Sequence, residues 1–226
     1  MQQDFAARLA AALSTERLSA YQDRLGQTRD LDLFAHYAWN MALSEAFYPS
    51  LQVLEVTLRN TIHDAVSRQH GFADWYDGRG IIQFPKDLDM VNQAKKSLAL
   101  KHKPLDPGRM VAELSFGFWT SLLDRRYEQV LWPCLLKECF PYMPRAIRTR
   151  ATVSKRFQKI RILRNRIFHH EPIWHWRDLS EQHADILEAI GWIEKAAGDL
   201  LAAVDNFPAV YSTGLNNIRQ SLQKFC

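Results

Sequence analysis

The chain has 226 residues, 47% of them apolar and 24% charged, with 29 Lys or Arg against 25 Asp or Glu for a formal net charge of +4. This length can bury a real core without requiring a second domain, and the composition excludes both a disordered chain and a membrane bundle. Apolar residues recur at steps of three and four in segment after segment, and no run rich in Val, Ile and Thr alternates with period two. The expected fold is therefore all-α, a single-domain helical bundle over residues 1–226 with about eight to nine helices. A first helix lies in the Ala-rich stretch within 1–29, and the core spans 30–205. A second helix starts near Asp30, and a third follows Pro49, since proline suits a first helical turn. Residues 71–85, GFADWYDGRGIIQFP, read as a Gly- and aromatic-rich loop packed on the body, and KHKPLDPG is a second break. Further helices are predicted at 86–100, 109–125, 126–139, 152–170 and 178–204, and the tail 206–226 forms one more short helix after Pro208.

The opening stretch MQQDFAARLAAALSTER carries Asp4 and Arg8 where a signal peptide needs an unbroken apolar region, and charges interrupt every longer apolar run. A cytoplasmic chain with no membrane partner is expected. The three cysteines, Cys134, Cys139 and Cys226, have no CxxC spacing, so reduced thiols are expected and neither a disulfide framework nor a zinc clip is supported.

Charge is concentrated in one segment. Arg145, Arg148, Arg150, Lys155, Arg156, Lys159, Arg161, Arg164 and Arg166 fall between 145 and 166 with no Asp or Glu among them, so the rest of the chain is net acidic. A solvated helix face is one reading of such a run. An excess this local points instead to a polyanion-binding surface, with nucleic acid as the leading partner class.

The same segment leads into ILRNRIFHHEPIWHW, residues 162–176. Val153, Phe157, Ile160, Leu163 and Ile167 form the apolar stripe of one helix, which Pro172 should end at Glu171, leaving His169 and His170 in its last turn. A histidine there has its protonated form favoured by the helix dipole, as a general acid requires. Asn165 and His169 share a face, whereas Arg164 and His169 are separated by roughly 140° around the axis. One straight helix does not easily aim both at one atom. Two copies meeting along this helix would bring two arginines and two histidines into one cleft.

The segment RNRIFH, Arg164 to His169, matches the R-x4-H form of the signature of HEPN ribonucleases, with Asn165 directly after the arginine. The chain as a whole resembles the Abi-like, abortive-infection branch of that superfamily. YAWNMALSEAFYPSLQVLEVTLRNTIHDAV is similar to its N-terminal block, LSFGFWTSLLDRRYEQVLW to its central block, and LRNRIFHHEPI to its C-terminal catalytic block. The resemblance implies a helical HEPN-type domain in which Arg164 and His169 form a composite site across a homodimer and cut RNA without a metal or other cofactor. The 2′-OH would attack the adjacent phosphorus, the imidazole would transfer protons, and the guanidinium would hold the developing charge, leaving a 2′,3′-cyclic phosphate and a 5′-OH. Asn165 would orient the imidazole or bind phosphate, or else bond a neighbouring helix. The implied role is a toxin-like effector in antiphage defence, with a possible antitoxin or companion RNA. The alternative is an RNA-binding regulatory or sensing protein that keeps the fold without cutting.

Other constellations stand beside this one. Arg59, Asn60 and His63, with Glu55 one turn earlier, either line the same cleft or serve structure through a Glu55–Arg59 ion pair. His170 and Glu171 extend beyond the minimal signature as candidates to line the site, and Glu171 is also placed for a salt bridge to a nearby arginine. His169, His170 and His175 have no standard zinc spacing, so no metal is expected. Phe116, Phe118, Trp119, Trp174 and Trp176 pack in a core or interface, or stack on bases. GxSxG and GxxxxGK[ST] are both absent.

Overall fold

The computed structural model describes residues 3–77 and 80–225, excluding the side chains of Gln3, Asp4 and Cys134. Cys226 and the Cys134 thiol, both expected to be reduced, lie outside the described residues. Among the described residues the protein is all-α, and no helix is long and apolar enough to cross a membrane. In order these are α1 (Gln3–Leu13), α2 (Thr15–Leu25), α3 (Asp30–His70), α4 (Pro85–Leu100), α5 (Pro107–Glu113) and α6 (Phe116–Ser121). A 3-10 turn (Arg125–Tyr127) follows, then α7 (Trp132–Cys139), α8 (Arg150–Phe168), α9 (Leu179–Ile193), α10 (Lys195–Ala202) and α11 (Phe207–Gln223).

This is more helices than the apolar periodicity suggests, because short polar caps divide three of the predicted runs, among them 109–125, which breaks at Ser115, whose hydroxyl accepts from the Phe118 amide to start α6. Ser14, at φ 67°, stops α1, and its hydroxyl accepts from the Arg17 amide to start α2. Glu194 is extended and caps Ala196 in the same way, dividing α9 from α10. Pro85, Pro107, Pro133 and Pro208 each sit in the first two positions of a helix, where the missing N–H costs nothing. Pro49 does not: α3 runs straight through it. An interior proline costs about 3 kcal/mol. Phe47, Leu51, Leu54 and Leu58 of α3 are buried, at about 1.5–3 kcal/mol each, and their combined burial outweighs the break.

The chain packs into two compact units. The first comprises Met1–Pro49, Leu163–His183 and Val204–Cys226. One core cluster within it joins Ala6, Leu18, Tyr21, Leu33 and Phe34, with Trp174 packed against it. Also in this unit, Phe47 and Phe207 enclose His183, which hydrogen-bonds Asp205 at 3.1 Å.

The second unit comprises Ser50–Ile162 and Ala184–Ala203. Phe116, Phe118 and Trp119 are buried here, as their packing role anticipates, and Phe118 and Trp119 pack against Trp75 from the aromatic loop. Three buried indole N–H groups of this unit find acceptors: Trp75 donates to His63 Nδ1, Trp119 to the Leu114 carbonyl and Trp132 to the Leu122 carbonyl. Cys139 is buried, with its thiol directed at the Thr61 carbonyl and pushed up to about 12 by burial.

Candidate active site

Thr149 opens α8, accepting from the Thr152 amide at 3.1 Å. Val153, Phe157, Ile160, Leu163 and Ile167 are all buried, so the apolar stripe read from the sequence is the packed face. The helix stops slightly earlier than Pro172 alone requires. His170 has φ 57°, its amide bonds the Ile167 carbonyl at 3.0 Å, and the Glu171 amide reaches back to Arg166 at 2.8 Å. This is a Schellman stop with a histidine in the left-handed position usually held by glycine. His169 therefore closes the helix, bonded to the Asn165 carbonyl at 2.9 Å, and His170 lies just beyond it instead of in the last turn.

Residues far away in the sequence fix this helix end. Arg17 donates to the carbonyls of His169 at 3.3 Å and His170 at 2.6 Å, so a guanidinium already meets the negative end of the helix. Asn40 is buried on α3. Its Oδ1 accepts from the Ile173 amide at 2.6 Å and the Trp174 amide at 3.2 Å, and its Nδ2 donates to the Glu171 carbonyl at 3.5 Å. Arg166 bonds the Pro172 carbonyl and pairs with Glu171 at 3.6 Å, the salt bridge anticipated for that glutamate. Sequence reasoning missed Arg17 and Asn40. A lone amide in the apolar run YAWNMAL is the signal that could have singled out Asn40.

The side chains of Asn165, His169 and His170 are exposed. Arg164 is half-buried, its guanidinium carbon 4.1 Å from the centre of the Phe168 ring. Beside it an open, mainly apolar cavity of about 570 Å³ is lined by Ser44, Glu45 and Tyr48 of α3 together with Ile167, Phe168 and His170. His175 does not join the other histidines: it accepts from Arg24 at 3.3 Å, and burial, then Arg24 and Arg166, lower its pKa.

The remaining candidates divide between structure and surface. Glu55, Arg59, Asn60 and His63 belong to the second unit, whereas the motif belongs to the first. His63 accepts the Trp75 indole proton at 3.1 Å, and burial lowers its pKa, so it serves as a neutral acceptor in that packing. Much of the basic segment is engaged internally. Arg150 pairs with Glu128, Arg156 with Asp185 and Glu188, and Lys159 with Asp185. Arg161 bonds Gln158. Arg145, Arg148 and Lys155 make no ion pair among the described residues. Compared with known proteins, the chain matches no family model, no curated protein and no solved structure.

Proposed function

We propose that the protein is a metal-independent endoribonuclease of HEPN type, acting in the cytoplasm as a toxin-like effector of antiphage defence, with Arg164 and His169 as its reacting pair. The observation that carries this reading is the anchored end of α8. An exposed imidazole and an exposed Asn165 stand at a helix terminus whose backbone is held by Arg17 and Asn40. Catalysis by position needs such support, because a loosely held acid or base loses most of its advantage. His169 would move the proton between the 2′-OH and the departing 5′-oxygen, while Arg164 would stabilise the phosphorane-like charge.

The angular separation of the pair favours a homodimer in which each site takes groups from two copies. In support, α8 leaves Ile162 and Phe168 exposed, apolar area that a second copy would cover. Arg145, Arg148 and Lys155, which make no ion pair among the described residues, are the cations that would hold an RNA backbone. Any antitoxin or companion RNA would act on this assembly.

The test is cleavage of mixed RNA by purified protein, with and without EDTA, with end-group analysis of the products. Cyclic-phosphate and 5′-OH ends resistant to EDTA are expected, along with a loss of about 10² to 10⁴ in rate in Arg164→Ala or His169→Ala. Full activity in His169→Ala, or strict dependence on Mg²⁺, overturns the mechanism. RNA binding without cleavage by the wild type would assign the protein to the non-cutting class instead.

A further inference from the structure

The second unit holds a polar cavity of its own, about 230 Å³, to which three segments distant in sequence contribute. Lys86 comes from α4, Asp124 and Arg126 from the turn after α6, and Ser154, Gln158 and Arg161 from α8, while α6 forms the remaining wall. Three cations thus line a space too small for a strand of RNA, and each is held differently.

Arg126 is fixed from behind. Its Nη2 donates at 2.8 Å to Asp87, a fully buried carboxylate that also accepts from the Tyr127 hydroxyl at 2.7 Å, and the guanidinium lies over the Phe84 ring at 4.8 Å. The Asp87 charge offsets that of Arg126, and the Arg126 Nε is buried with no hydrogen-bond partner among the described residues. Arg161 is steered by Gln158 Oε1, which accepts from its Nε at 3.2 Å and its Nη2 at 2.8 Å, so Nη1 stays clear of that contact. Lys86 is exposed, and neither it nor the Ser154 hydroxyl makes a hydrogen bond or ion pair among the described residues. Two surplus cations, a pinned guanidinium and a free hydroxyl form a donor-rich wall with one opposing carboxylate, Asp124.

We propose that this cavity binds the phosphate group of a small phosphorylated molecule, independently of the RNA reading. Guanidinium and ammonium donors around a tetrahedral oxyanion give short charge-assisted bonds, and bringing like charges together without an anion is unfavourable. The volume lies below the roughly 300–1,000 Å³ of sites that enclose a drug-sized ligand, so it suits a phosphate or diphosphate head with the remainder of the molecule outside.

Isothermal titration of the full-length protein with inorganic phosphate and with pyrophosphate tests this directly. Saturable binding at one site per chain is expected, with the two probes competing. Lys86→Met and Arg161→Gln should each weaken it by about 10- to 100-fold, the loss of one charge-assisted contact. Lys96→Met removes an exposed cation elsewhere on α4 and should leave binding unchanged. Ser154→Ala, a mild substitution, should weaken binding severalfold even if a charge variant misfolds. The absence of saturable binding up to millimolar probe, or affinity retained in the Lys86→Met/Arg161→Gln double variant with unchanged melting temperature, overturns the site. A short RNA without terminal phosphates that competes as well as pyrophosphate overturns the small-ligand class.

Discussion

Two helices of this protein stop by the same local code and continue differently. α4 ends at LKHKP and α8 at FHHEP, each with a left-handed histidine followed by one residue and a proline. At α4 the amide of His102, φ 51°, bonds Ala99 at 3.0 Å and that of Lys103 bonds Leu98 at 2.9 Å, the same pair of bonds that closes α8. Beyond α4 the chain is exposed through Lys103, Pro104 and Leu105. Beyond α8, Pro172 and Ile173 are buried, and Arg17, Asn40 and Arg166 grip the backbone. The stop is a local matter of sequence. What distinguishes a candidate site from an ordinary helix end is the long-range anchoring that follows it.

The largest test of this contrast is catalytic. His169→Ala should lower RNA cleavage by about 10² to 10⁴, whereas His102→Ala should leave it within about twofold. Equal effects in the two variants would remove the distinction.

Next comes anchoring. Asn40→Ala leaves the buried Ile173 amide without its acceptor and should cost about 1–3 kcal/mol in urea unfolding. Leu105→Ala, at an exposed position after α4, should change stability by less than about 0.5 kcal/mol. A neutral Asn40→Ala would mean that the segment holds itself.

Backbone strain gives a smaller and more symmetrical effect. His102→Gly and His170→Gly should each stabilise by about 1 kcal/mol, since glycine enters the left-handed region without a Cβ penalty. A gain at 102 but not at 170 would show that the His170 ring makes compensating contacts at the cavity it lines. No gain at either would defeat the strain argument.

The smallest effect appears only on acidification. Burial lowers the pKa of His63, His175 and His183 from the usual 6.5. The unfolded chain therefore binds more protons than the folded one as pH drops through 6.5, so this stability is present above that value and is lost towards the lower folded values. The melting temperature should fall between pH 7.5 and 5, and His175→Gln, in the anchored segment, should flatten part of the decline. A slope unaltered by both His175→Gln and His183→Gln would place the titration elsewhere.

Local signals made much of α8 legible: its apolar stripe, its basic content and the approach of Pro172 were all visible in the sequence. Apart from the local pair of Arg166 and Glu171, which charged groups meet was not. Arg156 finds Asp185 and Glu188, and Arg17 finds the carbonyls of His169 and His170, across separations that periodicity does not encode. Pro49 misled in the opposite direction, because a local helix-start preference yielded to burial along α3. The cavity lined by Lys86, Arg126 and Arg161 could not be read, since Lys86 and Arg126 carried no signal and Arg161 stood out only as part of the basic run until the fold gathered them.

Cys139 makes the second unit a clock. A thiol that is buried and pushed up to about 12 reacts with a disulfide reagent only when its surroundings open. In a chain with Cys134 and Cys226 replaced by serine, the rate of its modification would time how often that interior is breached. Repeating the measurement with phosphate present would show whether a ligand slows the opening.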